Sequence, residues 1–153
     1  MSEAGLPTAS PAQGPSTVPG GAMEALARLY ADLDACIHQL GVACRACGSC
    51  CDFMRHGYRL YATGFERAAL VRRHGEPRLT ASGQCGFLVA GRCSARPWRP
   101  LGCRVFFCAP EHKPREQELC HAFLERLRAL TREFGFAWDY GPLFADSIAA
   151  VNC

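Results

Sequence analysis

Cys44-Arg45-Ala46-Cys47-Gly48-Ser49-Cys50-Cys51 sets four thiols into eight residues, at relative positions 0, 3, 6 and 7. Thiolates three residues apart on a tight turn can converge on one metal, because a turn of that length points the chain back inward. Gly48 gives such a turn its backbone freedom, and Ser49 is too small to obstruct it. A bare C-x2-C is weak evidence, whereas C-x2-C-x2-C-C is rare by chance. Four more cysteines follow as an ordered block, Cys85, Cys93, Cys103 and Cys108. The chain reads as a metal-thiolate module, and its other segments are interpreted around that block.

Composition supports this interpretation. With 153 residues one domain is expected, and 49% apolar residues suffice for a core. The eleven cysteines would suit a secreted disulfide scaffold only in an exported chain. The opening residues show neither a basic nor an apolar region of the signal-peptide kind. No run of about 18 apolar residues is available to span a bilayer. An odd cysteine count also fits a disulfide framework poorly. The expectation is a reducing, cytoplasmic setting with metal-bound thiolates and no membrane partner.

The net charge of +3 hides an asymmetry. Between Cys44 and Cys108 eleven arginines face three acids, so that segment carries +8 and the remainder −5. Thiolate-bound zinc and iron–sulfur centres are anionic, and nearby arginines would offset them and donate to sulfur. Arg99 and Arg104, which bracket Cys103, are the candidates for that role. The plainer explanation is codon preference, since arginine outnumbers lysine sixteen to one and many such side chains are simply solvated. A basic face serving a protein partner or nucleic acid is a third reading, with nucleic acid the less expected of the two.

Along the chain, residues 1–22 are rich in Pro, Gly, Ser, Ala and Thr and read as a disordered tail, followed by a single domain over 23–153. Leu26, Leu29, Tyr30, Leu33, Ile37 and Leu40 recur at 3.6-residue spacing and predict a helix stopped by Gly41. Cys36 falls beside that face and reads as a core thiol. A short strand is expected near Tyr58, Leu60 and Tyr61. Thr63-Gly-Phe-Glu66 has the form of a capping box opening a helix to His74, with Phe65, Ala69, Leu70 and His74 inward. Gln84 to Cys93 predicts a hairpin turning at Ala90-Gly91, which would bring Cys85 and Cys93 together. Pro97 and Pro100 predict an extended, non-helical path to Cys103. A loop over 109–114, a helix over 115–134 and a short final helix from about Pro142 complete the expectation. Its inner stripe runs through Leu119, Phe123, Leu127, Leu130 and Phe134, with Cys120 at the core or its edge. The resulting fold class is α+β, a mainly helical small domain with a loop-rich cysteine core, a short β-hairpin and a metal staple.

The second block reads C-x7-C-x9-C-x4-C, with Arg99-Pro100 just ahead of Cys103. Together with Phe87, Leu88, Arg104 and Phe106, the two blocks resemble the CxxCxxCC, or YkgJ-type, cysteine-cluster family of zinc- or iron-chelating domains. The resemblance covers about residues 44 to 108 and rests on eight cysteines in matching order. It implies metal ligation by Cys44, Cys47, Cys50, Cys51, Cys85, Cys93, Cys103 and Cys108, and implies no particular reaction. The chain departs from the family pattern at Ala95-Arg96, where Ile-Tyr is frequent. Related clusters resemble a segment of flagellin lysine methylases, which leaves room for an accessory role.

Read from the residues alone, adjacent Cys50 and Cys51 seldom share one ion, because neighbouring side chains diverge. Either two four-ligand sites share the turn, or one site uses four thiols while the others are structural. C-x2-C-x2-C with a remote fourth cysteine is ferredoxin-type spacing, which favours an iron–sulfur cluster over zinc. Zinc, which more often uses two C-x2-C pairs, is the alternative. His56 and His112 are minor ligand candidates, and Cys153 is expected to be a free thiol. Clustered thiols fit a metal better than a cysteine nucleophile, and no common catalytic or nucleotide motif is present.

Overall fold

A computed structural model describes residues 17–144. The chain forms α1 (Ala22–Gln39), α2 (Phe53–His56), β1 (Tyr61–Thr63), α3 (Gly64–His74), β2 (Leu88–Val89), β3 (Arg92–Cys93), α4 (Leu101–Arg104), α5 (Lys113–Glu133) and β4 (Tyr140–Pro142). It is an α+β domain, mainly helical, with two antiparallel two-stranded sheets, β1–β4 and β2–β3. Of the tail expected over 1–22, residues 1–16 lie outside the described residues. Within the described part, Val18 packs on the core and Ala22 is buried at the start of α1, so the domain begins earlier than residue 23.

Two hydrophobic clusters divide the domain. In the first, α1 lies along α5, and Leu26, Leu29, Leu33, Phe123 and Leu127 meet Phe65 of α3 and Leu101 of α4. The 3.6-residue stripes place these side chains on facing sides. Both cysteines read as core thiols sit here: Cys120 is buried and Cys36 is partly buried against the same cluster. Leu40, expected on the inner face, is instead 38% exposed, because α1 ends at Gln39 and the chain turns away at Gly41. His74 is likewise exposed at the end of α3.

The second cluster gathers Phe53, Leu60, Leu70, Ala95, Leu143 and Phe144 beneath the cysteines. Trp98 packs against both clusters, and within the first lies Glu66, which is 1% exposed. Its carboxylate closes the capping box by accepting from Thr63 N at 2.9 Å, while Glu66 N donates to Thr63 Oγ1. It also accepts from Tyr30 Oη of α1 at 3.0 Å and from Leu101 N of α4 at 2.7 Å. One carboxylate thus pins three helices. Burial pushes it above the ordinary carboxyl range, against the hydrogen bonds it accepts.

Between Ala95 and Val105 the expected extended path is corrected. Arg96–Trp98 forms a 3-10 turn, and Leu101–Arg104 forms the short helix α4 with Pro100 as its N-cap. Proline fixes φ near the helical value and lacks only an N–H that a first turn leaves free, so it opens such turns rather than barring them. The loop over 109–114 is corrected on similar grounds. Pro110–His112 is a 3-10 turn leading into α5, which starts at Lys113 with Pro114 in its first turn. At the other end, Tyr140–Pro142 is a strand paired with Tyr61–Thr63, not the start of a helix. Anything beyond Phe144 lies outside the described residues.

Candidate metal centre

Each cysteine of the two blocks reaches its place by a separate local device. Cys44 and Cys47 lie on the irregular stretch after α1, where Ala46 adopts a positive φ of 51°. Gly48, at φ 73°, then starts the 3-10 turn Ser49–Cys51. A Cβ on Gly48 would lie 2.9 Å from Leu88 Cδ1 and 3.2 Å from the Gly91 carbonyl oxygen, so glycine is required by space as well as by backbone. The expected hairpin forms with its turn at Ala90-Gly91, pairing Leu88 with Cys93. Cys85 sits just before it and donates its N–H to the Cys51 carbonyl at 2.8 Å, tying the two blocks together. Cys103 is on α4, and Cys108 follows it after a short irregular segment.

All eight cysteines line one cavity of about 210 Å³. Its floor is apolar, with Phe53, Leu60, Leu143 and Phe144. Cys36 and Cys120 are not among the lining residues, nor are His56 and His112. Cys153 lies outside the described residues. The thiols surround the space rather than meeting at a point. Among the described residues, no three Cys, His, Asp or Glu side chains converge closely enough to grip one ion as they stand. The donor set is soft and rich in sulfur, which fits iron–sulfur clusters and zinc, and its spread suits more than one ion better than a single tetrahedral one.

The electrostatics separate the thiols. The Cys51 thiol donates to the Cys50 sulfur, and this bond, with the positive charges of Arg99 and Arg96, outweighs burial and holds Cys50 at about 6. Cys51 is pushed up correspondingly by the same hydrogen bond and by burial. Burial tends to raise Cys44, but the Ala46 N–H at 3.4 Å and Arg96 Nη1 at 3.9 Å from its sulfur leave it below the usual thiol value. Cys85 and Cys103 are raised by burial first. Cys108 is raised by its partial burial and then by the thiolates of Cys47, Cys50 and Cys44. Unmetallated, the cavity therefore holds its thiols mainly in two kinds of environment, one favouring the anion and one the protonated form.

The two arginines singled out beside Cys103 part company. Arg99 lines the cavity, and its Nε is buried with no hydrogen-bond partner among the described residues. An orphaned guanidinium donor beside thiols is what an anionic sulfur centre would satisfy. Arg104 does not line this cavity and is corrected to a structural role. It donates to both Asp34 oxygens at 2.9 and 2.8 Å, to the Arg99 carbonyl at 3.0 Å and to the Pro97 carbonyl at 2.7 Å. Its guanidinium also stacks on Tyr30 at 4.0 Å. Every face of Arg104 is occupied in holding α4 to α1.

Arg96, unremarked as a site residue in the sequence, takes the place foreseen for Arg104 by donating to Cys44. The local excess of arginine is the one sequence signal that could have found it. Tyr58 and Phe106 are a further addition. Their rings stack at 5.3 Å and 14°, both line the cavity, and Tyr58 Oη donates to the Cys50 carbonyl. Nothing in the spacing of the sequence pointed to that pair.

No family model, no curated protein and no solved structure matches this chain. The reading of the centre rests on its own residues.

Proposed function

We propose that this chain is a metal-binding protein that holds an iron–sulfur cluster, with zinc as the alternative, through the cysteine thiolates of its cavity. Its place would be in redox chemistry, in metal handling or as an accessory to a protein partner. One observation carries the reading: eight cysteines spread over residues 44–108 face a single cavity, while Cys36 and Cys120 pack elsewhere. Disulfide cross-linking explains the arrangement less well, since every described cysteine is a free thiol. The order of the eight cysteines and their resemblance to the CxxCxxCC family agree with it.

Metal analysis with visible spectra after anaerobic purification tests the proposal. Cys47→Ser is expected to lower bound metal per chain, whereas Cys36→Ser and Cys120→Ser leave it unchanged. Loss of metal in Cys120→Ser as complete as in Cys47→Ser overturns the division between ligands and core thiols.

The arginines supply a second test. When bound, the metal centre contributes negative charge and, for an iron–sulfur cluster, electron transfer; Arg99 would neutralise part of that charge. Arg99→Gln is expected to weaken metal retention or lower the reduction potential, because the reduced form carries more negative charge. Arg104→Gln is expected to spare both and to cost roughly 2–3 kcal/mol of stability, through carbonyls and a carboxylate left without their donor. Metal content, redox midpoint and thermal melting of the two variants read the difference.

A second reading is an interaction module whose basic face meets an acidic protein or nucleic acid. It is favoured by one feature: Arg45, Arg92, Arg96 and Arg99 line the cavity and, among the described residues, none pairs with a carboxylate. Salt-sensitive binding of random DNA that is lost in Arg99→Gln with metal intact would promote it. No helix among the described residues is long and apolar enough to cross a membrane.

A further inference from the structure

Resting on the metal-thiolate reading, we infer that the eight thiols form two four-thiolate sites, an inner one of Cys51, Cys85, Cys93 and Cys103 and an outer one of Cys44, Cys47, Cys50 and Cys108. The division follows the packing. Cys51, Cys85, Cys93 and Cys103 all belong to or pack against the second hydrophobic cluster, and the other four do not. Exposure divides them in the same way. Cys44, Cys47 and Cys108 are exposed, whereas Cys85 is buried and Cys51, Cys93 and Cys103 are partly so. Cys50, the least exposed of the outer set, sits where the two sets meet.

The two sets are built differently along the chain. Each inner cysteine comes from a different segment: the 3-10 turn, the approach to the hairpin, β3 and α4. Backbone contacts fix the first two, since Cys85 N–H is bonded to the Cys51 carbonyl, and the Leu88–Cys93 register fixes the third. A four-thiolate site made this way, beside apolar walls, would be of the closed structural type and take one tetrahedral ion of the zinc class. The outer set is C-x2-C-x2-C on an irregular loop with Cys108 as the remote fourth, which is ferredoxin-type spacing and takes an iron–sulfur cluster. Cys44, Cys50 and Cys108 of the outer set also border the larger groove between α1 and residues 96–108, as Cys103 of the inner set does, whereas Cys47 does not.

The division also disposes of the adjacency of Cys50 and Cys51. The two sulfurs lie within reach of one another, and the division lets each serve a different centre. Because the two residues are consecutive, the centres would lie side by side, joined through a single peptide. Among the described residues neither set makes a three-ligand grip as it stands, so both would tighten around their metals on binding.

The test is iron, sulfide and zinc analysis of the full chain, anaerobically reconstituted, as wild type and as Cys47→Ser, Cys108→Ser, Cys93→Ser and Cys103→Ser. The two outer variants are expected to lose iron, sulfide and visible absorption while keeping the zinc of the wild type and most of its melting temperature. The two inner variants are expected to lose that zinc and melt earlier. A chelator such as EDTA, applied to the wild type, should remove the two metals at well separated rates, the outer first. Should the inner variants fail to fold, the outer pair and the chelator series still decide. Loss of both metals together in Cys47→Ser and Cys108→Ser, or a wild type whose single metal is lost from either set, overturns the two-site inference and leaves one shared site. A wild-type chain that binds neither iron nor zinc removes the metal-thiolate reading itself, and this inference with it.

Discussion

Metal removal, by chelator or by acid that protonates the thiolates, is expected to abolish cooperative melting of the cysteine half of the domain. The helical signal of α1 and α5 should largely survive. The first hydrophobic cluster has fourteen buried members, whereas the second has eight, of which Cys85 is itself a thiol. Apart from Leu70 of α3, the second cluster is carried by two- and three-residue strands, the four-residue α2 and irregular segments, which cannot stand on their own backbone hydrogen bonds. If a metal is bound as proposed, its ligation would be the main term holding this half, and in small zinc-dependent peptides it supplies roughly 10–16 kcal/mol. Thermal melting followed by far-ultraviolet and near-ultraviolet dichroism, with and without metal, measures the effect. An unchanged transition in a metal-free sample would sink the staple.

The second large effect belongs to Glu66. Glu66→Ala is expected to cost roughly 3–5 kcal/mol, since it strands the buried donors Leu101 N–H, Tyr30 O–H and Thr63 N–H at about 1–3 kcal/mol for each that stays unsatisfied. Tyr30→Phe removes a single donor and should cost about 1 kcal/mol. Because α4 carries Cys103 and depends on the Leu101 N–H bond, Glu66→Ala should also loosen metal retention. Tyr30→Phe should not, although it touches the same carboxylate. Urea unfolding and metal content of both variants separate the two consequences. Equal stability loss in the two variants would show that α4 does not hang from Glu66.

Much of this architecture could be read from residue order. The stripes through Leu26–Leu33 and Phe123–Leu127 are long enough for periodicity to dominate, and Thr63 and Glu66 announce a helix start by mutual capping. The hairpin was visible because Ala90-Gly91 follows the short apolar run Phe87-Leu88-Val89 and stands between Cys85 and Cys93. The eight cysteines pointed to a common centre before any geometry was known, and all eight do line one cavity. Other parts depend on partners far away in sequence. Arg104 looks like a neighbour of Cys103, but its destination is Asp34, seventy positions back. Tyr140-Gly141-Pro142 has neither the length nor the residue types of a strand and becomes one only by pairing with Tyr61–Thr63. Pro97 and Pro100 suggest a non-helical path from sequence, yet Pro97 lies in the first turn of a 3-10 helix and Pro100 caps α4, where that residue is at home.

The floor of the cysteine cavity is completed by Leu143 and Phe144, carried in by β4. Every ligand candidate leaves the ribosome well before those two residues do. During synthesis the eight thiols thus emerge before the two side chains that complete the cavity floor. If the centre is filled as proposed, filling and the docking of β4 would compete in the nascent chain, and their order would set whether the ligands meet the metal across an incomplete floor or only through the groove beside α1.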